Sequence, residues 1–242
     1  MEEQKPVIAE EKLSVGAGIG AMLNVFVDPK GAAKRVPAPL SWLWPLIAIC
    51  AIYGVTTYLM LPNTMALIDL RMSQQNTSPE QMERARTVAH AIFQLLPVFA
   101  PVMTIVALLL LALLVIGMGS VAGLRTRFRD VFSLLACCQI ISSLQLVAGY
   151  IVIHAKGDEI TSQEQLTPPF GLDIFLQNVH GALFTLLNFF SIFEIWYLIV
   201  LTIALAALAK TSKGKALFAI TPAWIIPLIL RLIQGMFQGA QG

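Results

Sequence analysis

Glu194 is the residue with the greatest chemical consequence in this chain. It lies within the apolar run Phe189-Phe-Ser-Ile-Phe-Glu-Ile-Trp-Tyr. A carboxylate in such a run costs several kcal/mol unless it is neutral, paired or hydrated, so it is expected to face other protein groups or water. Asn188, Ser191, Glu194 and Tyr197 follow one another at a spacing of three. On one continuous helix that spacing makes a slowly turning polar stripe. A second stripe, Gln139, Ser142 and Gln145, lies earlier in the chain, with Ser143 beside it and Gly149 allowing close approach. Two stripes of amide, hydroxyl and carboxyl groups have two uses. They can bond across neighbouring helices as polar glue, at about 1 kcal/mol or less per bond. They can also line a path for a proton or a solute through Glu194.

Other chemistry finds little foothold. His90, His154 and His180 lack the local spacing of a zinc site, and no cysteine accompanies them, so no metal is expected. Gly16-Ala-Gly-Ile-Gly has the wrong glycine spacing for a dinucleotide loop and follows no strand. No Ser-His-Asp set or phosphate loop is visible, so neither an enzyme nor a cofactor is expected. Cys50, Cys137 and Cys138 fall in apolar stretches, as small packing residues do.

The elements that must position these residues are long apolar stretches. They cover about 42–61, 98–118, 131–153, 183–209 and 216–236. Each can cross a hydrocarbon core of about 30 Å at about 1.5 Å per residue. The mean hydropathy is +0.76. Only 12% of residues are charged, against about 25% for a soluble domain. The expected fold is therefore all-α, a polytopic membrane protein built as a five-transmembrane-helix bundle. Residues 1–17 are expected as a disordered tail, 18–41 as an amphipathic juxtamembrane segment and 42–236 as the membrane domain.

Lysine and arginine sort to alternate connections. The N-terminal region carries Lys5, Lys12, Lys30, Lys34 and Arg35, the second connection Arg125, Arg127 and Arg129, and the fourth Lys210, Lys213 and Lys215. Those eleven of the sixteen basic residues predict a cytoplasmic N-terminus and an outward C-terminus. They read as a membrane-surface signal, not a nucleic-acid stripe. The first 40 residues hold no early apolar run, so no cleavable signal peptide is expected. Met22, Leu23, Phe26 and Val27 are expected to form one face of a short interfacial helix ended by Asp28-Pro29, with Lys30, Lys34 and Arg35 near anionic headgroups. Ser78-Pro79-Glu80 predicts a helix start in the first outer loop. That helix is expected to run on toward the second span. The first span is expected to end at Leu61-Pro62, and Pro222 and Pro227 to kink the fifth. Gly119 with Gly123 and Gly235 with Gly239 would allow close helix approach or serve as caps.

The order of these segments resembles the Yip family, the Ypt/Rab-interacting multi-pass membrane proteins, and in particular its bacterial branch. The likeness runs through Phe26-Val-Asp28-Pro29, Pro39-Leu-Ser-Trp42-Leu-Trp44-Pro45-Leu, Phe132-Ser-Leu-Leu-Ala, Asn188-Phe-Phe-Ser-Ile-Phe193-Glu194-Ile-Trp196-Tyr-Leu-Ile, Lys210-Thr-Ser-Lys-Gly-Lys215-Ala and Trp224. It covers about residues 20–235. The resemblance implies five spans, a cytoplasmic N-terminus, and a non-enzymatic role in organising membrane or binding lipids, partner membrane proteins or further copies of the chain. For the bacterial branch it implies the inner membrane. The short tail lacks the Asp-Leu-Tyr-Gly-Pro motif of the eukaryotic branch, so the expectation of small-GTPase binding does not carry over. The alternative reading is a small transporter or channel that uses Glu194 with the Gln/Ser/Asn stripe.

Overall fold

The computed structural model describes residues 7–73, 78–156, 166, 168–175 and 181–239. Regular structure there is helical. The order is α1 (Val7–Val27), α2 (Pro29–Arg35), α3 (Leu43–Ser73), α4 (Pro79–Phe93), α5 (Leu96–Val121), α6 (Phe128–Lys156), a 3-10 turn (Leu172–Phe175), α7 (Gly181–Phe189), α8 (Ile192–Leu208) and α9 (Lys213–Gly239). Helices are the necessary answer for apolar segments of this length, because they satisfy each backbone N–H and C=O within the segment.

Four single helices, α3, α5, α6 and α9, are long and apolar enough to cross a membrane. Together α7 and α8, bent by 47° at the break between them, also pass as apolar enough, either as one broken span or as a re-entrant pair, which would make five crossings or four. Both halves pack along α9. The central member is α6. Its apolar window is 61% buried, against 17% for α3 and α5. The run from Asp130 to Cys138 is buried without a gap. Around α6 stand α3, α5 and α8, and α9 closes the bundle against α5, α7 and α8. Leu134, Leu135, Ile141, Leu201, Leu205 and Ile220 fill the centre. The outward faces of α5 and α9 remain apolar, with Val102, Met103, Leu110, Leu113, Ile226 and Leu230 exposed. Such faces belong against acyl chains.

Several expected boundaries move. Residues 7–17, expected as part of a disordered tail, are the first turns of α1; residues 1–6 lie outside the described residues. The first span does not end at Leu61-Pro62. Instead α3 continues through Pro62 to Ser73. One proline forfeits one intrahelical bond, and away from water the helix still satisfies the remaining backbone groups. The loop helix begins at Pro79 after Ser78 as expected, although Ser78 makes no side-chain cap. It does not run on into the second span, because the chain turns at Gln94–Leu95 before α5. Pro222 and Pro227 both lie inside α9. Gly119 packs against Leu124 and Ala219, whereas Gly123 sits at φ +79, a left-handed position that favours glycine.

The N-terminal segment departs most from expectation. Asp28-Pro29 does end α1, but α2 then folds back against it. The two form a hairpin packed on α3, α6 and α8. Ala21, Val25, Ala32, Ala33 and Val36 are buried in the common core. The expected apolar face is divided. Met22 and Phe26 pack against that core, while Leu23 and Val27 point away from it. Small side chains at 21, 32 and 33 let α1 and α2 approach the bundle closely, which turns the helix from the face read in the sequence.

Candidate functional site

The break between α7 and α8 gathers the intramembrane polar groups. Ser191 occupies the N-cap of α8, and its Oγ accepts the Glu194 backbone N–H at 3.1 Å. Ser191 donates its own hydroxyl to Gln145 Oε1 on α6 at 2.9 Å. The Ile192 N–H donates to the Phe170 carbonyl at 3.0 Å. Two of the backbone donors left free at a helix start are thereby satisfied.

On the other side of the break, Asn188 Nδ2 donates to the Pro168 carbonyl at 3.2 Å and to Asp173 Oδ2 at 3.1 Å. Asp173 Oδ1 also accepts the Gly171 N–H at 2.9 Å. Both Asn188 and Asp173 are buried. Pro168 and Phe170 pack over Gly149 of α6. The segment 168–175 thus seats in the bend between α7 and α8 instead of looping freely.

Aromatic rings fill the rest of the break. Trp224 of α9 stands 5.1 Å from Phe189 and 5.5 Å from Phe190, and Phe170 meets Phe193 edge-on at 5.6 Å. Arg231 lies over the Phe189 ring at 5.5 Å, a cation–π placement. Trp224 and Arg231 are also the electrostatic neighbours of the Glu194 carboxyl group. Trp224 Nε1 is buried beside the Glu194 carboxyl group. Glu194 is partly buried and sits in the first turn of α8, not in the middle of a continuous span helix.

The eight expected polar positions therefore divide. Asn188 belongs to a knot with Asp173 and Pro168. Ser191, Gln145 and Glu194 form the cap of α8. Gln139 Nε2 donates to the Tyr53 hydroxyl of α3 at 3.2 Å. Tyr197 is buried in the core on α8, the helix of Glu194. Ser142 makes no side-chain hydrogen bond among the described residues, while its neighbour Ser143 is buried and donates to the Gln139 carbonyl at 3.0 Å. The stripe 188–191–194–197 is not continuous, because the helix that would have carried it is broken between its first and third members.

Tyr53 and Gln139 also border a cavity of about 140 Å³ between α3, α5 and α6, whose other lining residues are Thr104, Ala107, Leu108 and Leu111. Among the described residues no group of three His, Cys, Asp or Glu could hold a metal. His90 pairs with Asp69 at 3.0 Å, His154 stacks on Tyr150 at 5.7 Å, and His180 lies outside the described residues.

The basic residues Lys30, Lys34, Arg35, Arg125, Arg127, Arg129, Lys210, Lys213 and Lys215 are all exposed. Arg129 ties the second connection to the N-terminal segment, donating from Nη2 to the Pro37 carbonyl at 2.8 Å. Ser41 Oγ meets Ser133 Oγ at 3.1 Å beside it. These contacts bring the start of α3 and the start of α6 to one end of the bundle, referred to below as the basic end.

A scan against protein families matches residues 23–233 to the Yip1 domain. The chain belongs to the Yip1 family. No curated protein and no solved structure matches it significantly. Membership makes it a multi-pass membrane protein of Yip type, from a family that is generally non-enzymatic, with its apolar outer faces in contact with the bilayer.

Asp173 and Tyr53 escaped the sequence reading, having no local pattern to mark them, and Trp224 entered it only as a residue of the family likeness. Ser191-x-x-Glu194 did carry a signal, since Ser followed three residues later by Glu is a helix-start pattern. The apolar run around it masked that pattern.

Proposed function

We propose that this chain is a non-enzymatic Yip-type protein that organises membrane by holding partner membrane proteins or lipids against its bundle. Its basic end faces the cytoplasm of a bacterial inner membrane, and its C-terminus lies outside. The polar groups Glu194, Asn188, Ser191, Tyr197, Gln139 and Gln145 act as an internal brace, not as a transport path. One observation carries this reading above the rest. Ser191, Gln145, Asn188 and Gln139 direct their hydrogen bonds to neighbouring helices and to segment 168–175, and Glu194 is not among the residues lining the cavity beside Tyr53. A transport reading needs a hydrated chamber at Glu194 and receives no support from that arrangement.

The test is cross-linking in native membranes followed by purification of the tagged full-length protein. A membrane protein or a second copy of the chain captured in defined stoichiometry is the expected result. A monomer that retains neither partner nor lipid overturns the proposal.

A further inference from the structure

We infer that the α1–α2 hairpin re-enters the bilayer from the basic end as a wedge in one leaflet, its cationic returning edge drawing anionic lipid headgroups below the ordinary headgroup plane. This deepens the membrane-organising reading and rests on it. The foot and the tip of the hairpin are pinned at different heights. At the foot, Gly18 packs so closely on Ser41 that a Cβ there would stand 2.8 Å from the Ser41 carbonyl oxygen. Ser41 in turn meets Ser133, five residues into α6. At the tip, Phe26 meets Trp196 edge-on at 5.6 Å. Trp196 stands twelve residues up α8 from its Leu208 end, about 18 Å at the α-helical rise. Ser133 stands about 7.5 Å up α6 by the same rise, so foot and tip differ in height by about 10 Å. The eight residues from Gly18 to Phe26 cover a similar distance, about 12 Å. Meanwhile α2 returns beside α8.

The hydrocarbon must begin close to the basic end. Leu217 and Phe218, just after Lys213 and Lys215 on α9, are exposed apolar residues. The tip then lies well inside a leaflet whose hydrocarbon half is about 15 Å thick. The free edge of α1 suits that position. Ile19, Leu23 and Val27 recur at every fourth residue and are 38%, 58% and 84% exposed, increasingly so toward the tip.

The opposite edge is polar. The Arg35 guanidinium covers Gly20, while Asp28 and the Asn24 amide crowd Gly31. Lys30 and Lys34 are exposed beside them. Glycine at 20 and 31 leaves room for those side chains. Charged groups below the headgroup plane persist only when hydrated or paired. Lys30 and Asp28 stand at the turn, and Lys34 and Arg35 follow in the last turn of α2, Arg35 reaching back to Gly20 near the foot, so the positive excess lies along the returning edge of the hairpin. Its complement in a membrane is the lipid phosphate, which brings water with it and thins the leaflet locally. A wedge that fills one leaflet and lowers its headgroups bends the bilayer asymmetrically.

Two measurements on the full chain in lipid nanodiscs test this. For depth, spin labels are placed at Gly16→Cys, Leu23→Cys and Val27→Cys in a background where Cys50, Cys137 and Cys138 are alanine. The ratio of oxygen to nickel-chelate collision rates should rise several-fold from 16 to 27. A flat or falling ratio overturns the inference. For headgroups, the cysteine-containing protein is extracted from mixed phosphatidylglycerol and phosphatidylcholine membranes. Several-fold enrichment of phosphatidylglycerol is expected in the retained lipid, and it should be lost in Lys30→Gln/Lys34→Gln. No enrichment, or enrichment unchanged in that variant, overturns it. Failure to capture a partner leaves both readouts untouched, and a flat depth profile leaves partner capture intact, so the two readings fail separately.

Discussion

At the residue scale, Ser191 does two jobs with one oxygen. It caps α8 through the Glu194 N–H and reaches Gln145 across to α6. Ser191→Ala should therefore cost about 1 kcal/mol for the lost cap, with the bond to Gln145 adding a similar amount or less. A double-mutant cycle with Gln145→Leu, read by reversible unfolding in mixed micelles, should return a coupling of about 0.5–1 kcal/mol. Strict additivity would mean that the two side chains do not bond in the membrane. Gly171 makes a second prediction. A Cβ at that position would run into the Leu187 carbonyl and stand 2.9 Å from the Asn188 carbonyl, both backbone atoms that cannot rotate away. Gly171→Ala should destabilise by about 1–3 kcal/mol through overpacking, while Gly117→Ala, with open space around it, should be nearly neutral in the same assay. Glu194 shows what was readable at this scale. Its residue type and apolar setting announced a polar centre, but its partners come from α9, 30 and more residues away, and no local spacing names them.

At the element scale, α4 is attached to the outer extension of α3 through Asp69. The Asp69 carboxylate accepts from Arg86 Nε at 2.6 Å and pairs with His90 Nε2 at 3.0 Å. These are exposed or half-exposed contacts, so they hold an element in place more than they stabilise the fold. Asp69→Asn should speed hydrogen exchange across Pro79–Phe93 with little change in the melting temperature. Unchanged exchange would show that α4 is held by other contacts. The break between α7 and α8 teaches the complementary lesson. An apolar stretch over 183–209 is long enough for a crossing. Hydropathy cannot see the break, because Phe190 and Ser191 do not interrupt the apolar run, and only Ser191 followed three residues later by Glu194 marks a helix start there. The break exists because Phe170, Asp173 and Pro168 arrive from another segment to satisfy its free backbone and side-chain groups. Similarly, the apolar residues of α1 announced an amphipathic helix, but which face turns inward was decided by its packing on α2, α3 and α6.

At the scale of the whole molecule, the count of crossings decides which side each end occupies. Five crossings put the two termini on opposite sides; if α7 were a re-entrant segment that did not complete a crossing, both would lie on the same side. Alkaline phosphatase fused after Gly242 should be active in the periplasm of a bacterial host, and inactive when fused between Lys210 and Lys215. Reversed activities would show either that α7 and α8 do not make one span or that the basic end faces outward, and inactivity at both positions would show that α9 does not cross. The sequence by itself determined the class of molecule, the number of apolar segments and the sorting of charge, because a bilayer imposes length and hydropathy on each segment independently of its neighbours. Tertiary structure alone decided that the helix breaks between α7 and α8, that segment 168–175 seats in the break, that the N-terminal hairpin packs against the bundle, and which polar groups meet. Those outcomes depend on shape and unsatisfied hydrogen-bonding groups matched between segments far apart in the chain, and neither composition nor periodicity records such matches.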